Sequence, residues 1–541
     1  MDKEESDIRK CKVIIVGGGM AGLSAASLLA KNNMNDFVLL EARKRIGGRI
    51  VSIEPDGCKL ELGANWIHGI LGNPMYEMAL VNNLVDIVHV PKPHKVIAAT
   101  EDGNQVSTQL LQEIYEAYVC FLRRCEEYFL CQYLPPEGIE SVGEHIQLEI
   151  ELYLQKLNDP EERHVRRLIF DCLLKRETCI SGCDSMSDID LLELGSYTEL
   201  QGGNITLPSG YSSILGPASK HIPPDNILKE HVVSCIKWSS GENWYSDLSD
   251  ETSDDSERTV IDAEINDKGC INDESVDLLK PQIKEKIEYP VEVICENGNK
   301  FLADHVICTI PLGVLKDKST TLFSPPLPLF KQESIERLSF GTVNKVFLVY
   351  ERPFLPHDVS EVMFLWEADP EKDDDISKTW QKKIFSFSKV TETVLLGWIS
   401  GKEAEYAETL SQDVIADMCT DILRKFLNDP YVPKPKVCVC THWHSEPYTR
   451  GSYTAVAVGA SQCDIENLAL PLYTKRTNKK PTLLFAGEHT HSSFYSTVHG
   501  AYLSGRTCAQ SLLDPEEEPV TISCTDTGDL SSWIRGISLE D

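Results

Sequence analysis

A short apolar run near the start of the chain leads directly into a glycine-rich turn. Residues 13–16 are all β-branched, which is typical of a buried parallel strand. Three glycines follow at the spacing of a dinucleotide-binding turn: Gly17 allows a tight turn, Gly19 lets the backbone approach a pyrophosphate, and Gly22 lets a helix pack closely on the strand. The helix predicted over residues 21–31 would point its N-terminal N–H groups at the phosphates. This pattern predicts a Rossmann-like unit.

The next predicted strand ends in an acid. Residues 37–40 are apolar, and Glu41 follows them, 19 residues after Gly22. In dinucleotide-binding folds a carboxylate at that place hydrogen-bonds the ribose hydroxyls. A glycine-rich turn alone is weak support for such a site. Strand, glycines, helix, strand and acid in this order predict a bound dinucleotide.

The sequence beyond Glu41 resembles the flavin amine oxidases. Residues 41–49 contain a Gly-Gly pair and an arginine that approach the pyrophosphate in that family, and residues 62–69 resemble its flavin-edge loop. Other matching segments are residues 340–347, 443–453 and 487–505. The resemblance covers roughly residues 10–513 and is closest in kind to polyamine oxidases of the spermine oxidase or N1-acetylpolyamine oxidase type.

This resemblance implies FAD as the cofactor and assigns it contacts. Glu488 would lie near the pyrophosphate and ribityl chain, Val233 would meet the adenine through its backbone, and the helix after Thr497 would face the flavin. The cofactor positions that we expect are Gly17, Gly19, Ala21, Gly22, Glu41, Arg43, Gly48, Arg49, Asn65, Trp66, Ile67, Val233, Trp443, Glu488, Thr497 and Val498. Residues 494–496 contain no cysteine where the covalent monoamine oxidases carry theirs, so we expect non-covalent FAD.

Lys345 is the main catalytic candidate. It interrupts an apolar strand and by alternation shares a face with Val343 and Phe347, so we expect it to point inward. The resemblance places this lysine beside flavin N5, joined through a water. A partly desolvated lysine loses its charge readily, which suits a proton relay. His68 is the second candidate, because the resemblance puts its loop at the mouth of the active site. There it would bind the substrate amine or tune its protonation; a structural role for it stays open.

Substrate contacts are also expected from Tyr453 and the segment around Ser196. Relatives often have a glutamate at the place of Ser196, where it holds a distal amine, and Glu199 is the nearby acid that could take that role. Tyr453 and Trp443 would form an aromatic wall, although core packing explains each residue equally well. Ala455 stands where many relatives have an aromatic residue, which would widen one wall.

We expect an α/β fold with two interleaved domains. One is a GR2-type (Rossmann-like) FAD-binding domain assembled from separated segments, and the other is an α+β substrate domain with a mixed sheet. The FAD-binding domain is assigned residues 10–71, 203–310 and 440–513, and the substrate-binding domain is assigned residues 72–202 and 311–439. Residues 1–9 would be a flexible N-terminus.

Several elements are predicted within these domains. Residues 72–200 are expected to be mostly helical, and residues 227–238 to form one strand returning to the FAD-binding domain. Residues 291–295 and 301–311 are expected to form a hairpin-like pair around an Asn-Gly turn. Substrate-domain strands are predicted at residues 343–350, 361–366 and 394–399.

Negative charge is concentrated in two segments. Of the net charge of −32, residues 239–280 contribute −10 and residues 514–541 contribute −7. We expect the first to be a disordered acidic insertion and the second a flexible acidic tail. An acidic field would steer a polycationic substrate, although maintaining solubility explains the charge equally well. This charge pattern does not indicate a basic face, so we expect no binding to nucleic acid.

The 18 cysteines are expected to be reduced thiols, because the chain shows no secretory signal, and their spacing predicts no metal site. No stretch approaches the roughly 20 apolar residues that span a bilayer. The last residues do not match the peroxisomal Ser-Lys-Leu signal. We therefore expect a cytoplasmic, or also nuclear, protein without membrane contacts, present as a monomer or weak dimer.

The resemblance implies an FAD-dependent polyamine oxidase acting on spermine, N1-acetylated polyamines or both. Hydride would pass from the carbon next to an amine nitrogen to flavin N5, the imine would hydrolyse to an aminoaldehyde and a shorter polyamine, and O2 would be reduced to H2O2. Two alternatives stay open. One is a histone-lysine demethylase, weakened by the lack of that branch's inserted helical arm. The other is a flavin-binding regulatory protein without turnover, against which Lys345 argues.

Overall fold

The computed structural model describes residues 8–85, 95–238, 289–368, 375–474 and 480–514. The expected acidic insertion at residues 239–280 and nearly all of the expected terminal segments, 1–9 and 514–541, lie outside the described residues. None of the helices in the described ranges is both long enough and apolar enough to cross a membrane.

Helices and strands are numbered here in chain order. Helices α1 to α13 are Met20–Lys31, Pro74–Val81, Thr108–Cys131, Val142–Leu154, Pro160–Ser181, Leu215–Ser219, Leu312–Leu322, Leu329–Arg337, Ile376–Thr379, Gly401–Ala407, Gln412–Leu427, Gln462–Ala469 and Val498–Leu513. Strands β1 to β20 are Ile8–Val16, Phe37–Leu40, Ser52–Ile53, Leu60–Glu61, Ile67–His68, Lys95–Thr100, Asn204–Ile205, Ile227–Leu228, Val233–Trp238, Val291–Cys295, Lys300–Cys308, Phe323–Ser324, Ser339–Gly341, Val343–Val349, Val359–Leu365, Ser386–Thr391, Val394–Ser400, Val437–Cys440, Tyr453–Ala455 and Leu483–Phe485.

The larger sheet brings distant parts of the chain to one edge. Its order is β12-β9-β10-β11-β1-β2-β8, with β20 paired to β11. β1 is parallel to β2 and β11, and β11 is parallel to β20. Parallel strands end at the same edge, so the residues that follow these four strands meet there. They are Gly17, Glu41, Thr309 and, two positions beyond β20, Gly487.

Two helices pack together beside this sheet. α1 follows β1, and α13 follows β20. A Cβ atom on Gly505 in α13 would lie 2.0 Å from the Ala21 carbonyl oxygen in α1, so the two helix backbones are in close contact. The Ser24 hydroxyl donates to the Tyr502 carbonyl oxygen at 2.8 Å. The late helix is therefore fixed against the helix that follows the glycine-rich turn.

The second large sheet is mixed, as expected. Its order is β18-β14-β17-β16-β15-β6, and its strands are antiparallel except for the pair β15 and β6. Helices α3 and α5 pack on it: Phe121 of α3 and Phe170 of α5 share one buried cluster with Met363 of β15. Lys345 lies opposite Trp398 in the pairing of β14 with β17. This placement puts the lysine on an interior strand of the sheet.

One expectation about strands is wrong. Residues 227–238 form two strands, because Glu230 adopts a φ of 60° and turns the chain; β8 pairs with β2, whereas β9 pairs with β10. Residues 72–200 are mostly helical, as expected, and they also supply β6, which pairs with β15 across a long sequence separation. The expected hairpin of β10 and β11 is confirmed, and β16, which the sequence pattern did not indicate, joins β15 to β17. The domain boundaries stay predictions.

Candidate active site

Close packing around the glycine-rich turn leaves no space for side chains at Gly17 and Gly22. Gly17 has a φ of +110°, and a Cβ atom there would meet Thr309 Oγ1 at 2.4 Å. A Cβ atom on Gly22 would lie 2.0 Å from the Gly17 carbonyl oxygen, so α1 packs directly on the turn. Gly19 faces Gly48, since a Cβ atom on Gly48 would lie 3.2 Å from Gly19 Cα. α1 has Gly19 as its N-cap without a side-chain hydrogen bond, which leaves N–H groups available for an anion.

Glu41 is fixed at the end of β2 by the backbone around it. One carboxylate oxygen accepts from the Gly18 N–H and the other from the Arg43 N–H, both at 2.8 Å. Each carboxylate oxygen has a second lone-pair site, so the group keeps capacity for hydroxyl donors. Glu41 is therefore a pre-oriented acceptor beside the glycine-rich turn.

Arg43 joins this region to a later segment. Its Nη2 atom lies 3.2 Å from Glu446 Oε1 and donates to Thr449 Oγ1 at 2.9 Å. The guanidinium also lies over the Tyr448 ring, 5.2 Å from the centroid. Sequence reasoning included Arg43 but missed these three partners, because their contact joins segments about 400 residues apart.

Arg49 and Glu488 form a second long-range link. Arg49 Nη1 donates to Glu488 Oε1 at 2.9 Å and to the Ser452 carbonyl oxygen at 2.7 Å. The other Glu488 oxygen accepts from the Ser496 N–H at 3.0 Å. Burial by itself would raise the pKa of Glu488, but Arg49 and the hydrogen bonds outweigh it and the pKa is lowered. Glu488 is thus an ionised carboxylate.

Helix α13 begins at Val498, directly after Thr497, as the resemblance implied. Thr497 is its N-cap, and the threonine hydroxyl accepts from the Gly500 N–H at 3.0 Å. Thr497 and Val498 line the same cavity as Glu488. The positive end of the α13 dipole is therefore directed at that cavity, where it would stabilise negative charge.

Lys345 is buried, with 3% of its surface exposed. Its Nζ atom donates to the carbonyl oxygens of Glu61 and Gly63, each at 2.7 Å, and lies 4.8 Å from the centroid of the Trp398 ring. Burial lowers its pKa to about 7, and the charge of Glu61 acts in the opposite direction. The inward orientation expected from strand alternation is confirmed.

His68 and three tryptophans line the same cavity as this lysine. The Trp66 ring stacks on Trp398 with centroids 5.6 Å apart, and it lies 6.4 Å from the His68 ring. Trp443 Nε1 donates to the Leu62 carbonyl oxygen at 3.1 Å. Burial lowers the pKa of His68, with the hydrogen bond to Asn204 opposing it. His68 is therefore set up as a neutral imidazole near neutral pH.

Glutamates from helices α3 and α5 line the cavity, and sequence reasoning missed them. Burial raises the pKa of Glu177 to about 7, with the nearby Arg176 charge acting in the opposite direction. The pKa of Glu126 is also raised, first by burial and then by the charge of Glu199. The signal that could have found Glu126 is its place on the amphipathic pattern of α3. Glu199 lines the cavity as expected.

Other expected substrate residues have different surroundings. Tyr453 lines the cavity, and its hydroxyl donates to the Cys179 carbonyl oxygen, so both the wall and the packing interpretations hold. Ser196 does not line the cavity: it is buried, and its hydroxyl donates to the Glu193 carbonyl oxygen at 2.6 Å. Ala455 belongs to a buried apolar cluster and also lines the cavity.

These groups border one continuous cavity of about 1670 Å³. A site for one drug-sized ligand has roughly 300–1,000 Å³, so this volume suits a dinucleotide together with a substrate. Expected cofactor residues that line it are Gly17, Gly19, Ala21, Glu41, Arg43, Gly48, Arg49, Asn65, Trp66, Val233, Trp443, Glu488, Thr497 and Val498. Gly22 lies behind the turn, and Ile67 packs in the core.

The donor and acceptor groups of the cavity fit FAD. The glycine cradle and the uncapped start of α1 suit a pyrophosphate, and Glu41 suits a ribose. Among the described residues, no three His, Cys, Asp or Glu side chains come together as a metal-binding cluster.

Comparison with known proteins also identifies similarity to flavin-containing enzymes. The chain matches the family model described as flavin containing amine oxidoreductase over residues 20–261 and 282–513. The human peroxisomal N(1)-acetyl-spermine/spermidine oxidase is 33% identical over 523 residues, which cover 93% of this chain and 94% of the relative. Polyamine oxidase 1 of Oryza sativa subsp. japonica is 29% identical over 560 residues, covering 93% of this chain and 97% of the relative.

A solved structure also resembles this fold. A double mutant of a putrescine oxidase, made in a redesign of its cofactor binding, gives a TM-score of 0.60 at 17% identity. The match covers 94% of this chain and 100% of the other. Likeness at this identity concerns the fold, and it confirms the expected α/β architecture.

Proposed function

Because this chain belongs to the family of flavin-containing amine oxidoreductases, we propose that it is an FAD-dependent polyamine oxidase. In the proposed reaction a carbon next to an amine nitrogen is oxidised, the imine is hydrolysed to an aminoaldehyde and a shorter amine, and O2 becomes H2O2. The observation that carries the proposal is the buried Lys345, which lines the same cavity as Glu41 and Glu488. The human relative is named for acetylated spermine and spermidine, and the rice relative for polyamines.

FAD bound in the cavity would supply the two-electron oxidation. The backbone of Gly19 and Gly48 would contact its pyrophosphate, Glu41 its ribose, and Glu488 its ribityl chain. The α13 N-terminus at Val498 would stabilise negative charge on the reduced ring. These assignments are supported by the cavity lining and by the fixed orientation of both carboxylates.

Lys345 would remove the proton that keeps the substrate amine unreactive. A protonated amine has no lone pair to assist cleavage of the neighbouring C–H bond, so it must lose that proton first. A neutral lysine amine has two N–H donors, which match the two carbonyl acceptors of Glu61 and Gly63. Its lone pair is then left to accept a proton, and a pKa of about 7 suits this exchange.

The acidic wall supports a substrate with several positive charges. Glu126, Glu177, Glu193 and Glu199 line the cavity. A carboxyl group with a pKa raised to about 7, as in Glu177, ionises readily when an ammonium approaches. The indole rings of Trp66 and Trp398 would contact the aliphatic segments between the charges, while His68 would hydrogen-bond the amine that reacts.

We also propose that FAD is held without a covalent bond. Within the described ranges, Cys179 is the only cysteine that lines the cavity, and burial raises the pKa of its thiol to about 12. A thiol that stays protonated is a poor nucleophile. A mass spectrum of the denatured protein would test this, because covalent flavin would remain attached to the chain.

A monomeric or weakly dimeric state and a cytoplasmic location are likewise proposals. Sedimentation of the purified protein and imaging of a tagged chain would test them. The human relative carries "peroxisomal" in its name, so a peroxisomal image would overturn the proposed location.

The experiment that tests the function is an anaerobic titration with spermine and, separately, N1-acetylspermine, following the absorbance of the oxidised flavin. We expect bleaching by at least one of the two amines. A histone peptide methylated on lysine is the control for the demethylase alternative. A yellow protein that bleaches with neither amine would contradict the proposal.

A further inference from the structure

Glu61 contacts the candidate base through its main chain, and it is one of the residues that line the same cavity. The Glu61 carbonyl oxygen accepts from Lys345 Nζ at 2.7 Å. Its carboxylate oxygen Oε2 accepts from the Ser52 hydroxyl at 2.7 Å. The other oxygen, Oε1, is buried and has no hydrogen-bond partner among the described residues. A buried carboxylate oxygen without a partner is costly, so its retention needs a compensating interaction.

The side chain has little freedom to move away. The Ser52 hydroxyl also contacts the Ser212 hydroxyl at 2.8 Å, which ties the acid to a neighbouring loop. Gly210 covers the acid from the other side: a Cβ atom there would lie 2.4 Å from Glu61 Oε1. The negative charge is therefore held at a fixed place in the cavity wall.

Burial disfavours the charged form of Lys345, and Glu61 is the acid whose charge favours it. Other charged groups that line the same cavity are Glu41, Arg43, Arg49, Lys59, His68, Glu126, Arg176, Glu177, Glu193, Glu199, His231, Lys318, Glu361, Lys389 and Glu488. Among these acids, Glu126 belongs to α3 and Glu177 belongs to α5. Glu61 differs from them because its own main-chain carbonyl oxygen, on the short strand β4, accepts a hydrogen bond from the lysine.

Resting on the proposed function, we propose that Glu61 is a positioning residue that stabilises Lys345 after it has taken the substrate's proton. The N–H bond of the substrate ammonium breaks, and the proton forms a bond with Lys345 Nζ. The substrate amine becomes neutral with its lone pair free, and the new lysine ammonium is countered by the Glu61 carboxylate. No electrons leave either group in this step. Without Glu61, the neutral lysine would be a weaker proton acceptor.

The test uses the holoenzyme and the variants Glu61→Gln, Glu61→Asp and Glu54→Gln. Glu54 is an exposed acid seven positions earlier, so its variant controls for loss of one negative charge in the same region. Competitive labelling with acetic anhydride at a series of pH values, followed by mass spectrometry of the peptide that contains Lys345, gives the midpoint of lysine deprotonation. The pH profile of anaerobic flavin reduction gives a second, independent midpoint.

We expect Glu61→Gln to move both midpoints to lower pH by about 0.5–1 unit, because an opposing charge no longer favours the ammonium. Glu61→Asp should recover part of the shift, and Glu54→Gln should coincide with the unchanged protein. Equal labelling midpoints for Glu61→Gln and the unchanged protein would overturn the inference even if amine oxidation persists. If the unchanged holoenzyme is not reduced by any amine, the proposed function fails instead, and labelling still reports on the pair.

Discussion

Arg49 and Glu488, 439 residues apart in the chain, are joined by an ion pair of 2.9 Å. The carboxylate also accepts a backbone N–H from Ser496, and the guanidinium also donates to the Ser452 carbonyl oxygen. One charge pair therefore connects the segment that contains Arg49 with Ser452, directly before β19, and with the segment that precedes α13.

Glu488→Gln should lower the free energy of unfolding by about 2 kcal/mol, because it leaves a partly buried guanidinium without its counter-charge. Urea unfolding followed by circular dichroism measures the change. Glu333→Gln removes an acid from the exposed contact with Arg337 and should cost less than about 0.5 kcal/mol. Equal losses in the two variants would show that the buried location of Glu488 adds nothing.

Lys345→Met should slow amine-driven flavin reduction by about 10²–10⁴-fold, the range typical of a lost general base. Stopped-flow absorbance under anaerobic conditions measures the rate. Lys331→Met is the matched control, since Lys331 is also fully buried but donates to the Asn467 and Leu468 carbonyl oxygens outside the cavity. That control should lose stability and keep its reduction rate. An unchanged rate in Lys345→Met would remove Lys345 from the mechanism.

Lys345 should also make stability depend on pH. Its pKa falls from 10.5 to about 7 on folding, so between these values the unfolded chain binds one more proton than the folded protein. Rising pH therefore favours folding across this window, by up to about 1.4 kcal/mol per pH unit from this group. Compared with Lys345→Met, the unchanged protein should gain about 1.6 kcal/mol between pH 7 and 8.5 in chemical denaturation, because the folded-state lysine is still half protonated at pH 7. Parallel curves for the two proteins would contradict the lowered pKa.

Gly48→Ala should weaken FAD binding about tenfold. Gly48 has a φ of +58°, and a Cβ atom there would lie 3.2 Å from Gly19 Cα, where the pyrophosphate is expected. Gly57→Ala is the control, because Gly57 has a φ of +76° and nothing within 4 Å of the added atom. Both variants pay a backbone cost of about 1 kcal/mol, but only the first crowds the cradle. Fluorescence titration of the flavin-depleted protein measures affinity, and equal affinities would argue against a pyrophosphate at Gly48.

Glu177→Gln should raise the KM for spermine about tenfold with little change in kcat, because it removes a charge that pairs with an ammonium away from the reacting carbon. Glu161→Gln, on the exposed first turn of the same helix, controls for net charge. Steady-state oxygen consumption gives both constants. A loss confined to kcat would instead place Glu177 near the reacting atoms.

Local patterns predicted the parts of the site that are continuous in sequence. The turn with Gly17, the acid at Glu41 and the inward Lys345 each follow from residue spacing on one strand or turn. The break at Glu230 was missed, because a non-glycine residue at positive φ leaves little trace in a sequence.

Contacts between distant segments were beyond those patterns. The carbonyl acceptors of Lys345 are main-chain atoms of Glu61 and Gly63, and a main-chain carbonyl leaves no residue-type signal in the sequence. Glu177 looks like an ordinary helical acid until α5 packs across the second sheet. The resemblance to known flavin enzymes identified Glu488, which local spacing alone would have left as a strand-end acid.

The arrangement of β1, β11 and β20 has a consequence for how the protein is made. The glycine-rich turn emerges from the ribosome long before Leu483–Phe485 and the helix that packs on α1 are synthesised. The early half of the cofactor cradle must wait without Glu488 and Val498 until translation is nearly complete. Nascent chains arrested before β20 would consequently stay colourless, and flavin capture would mark the end of synthesis.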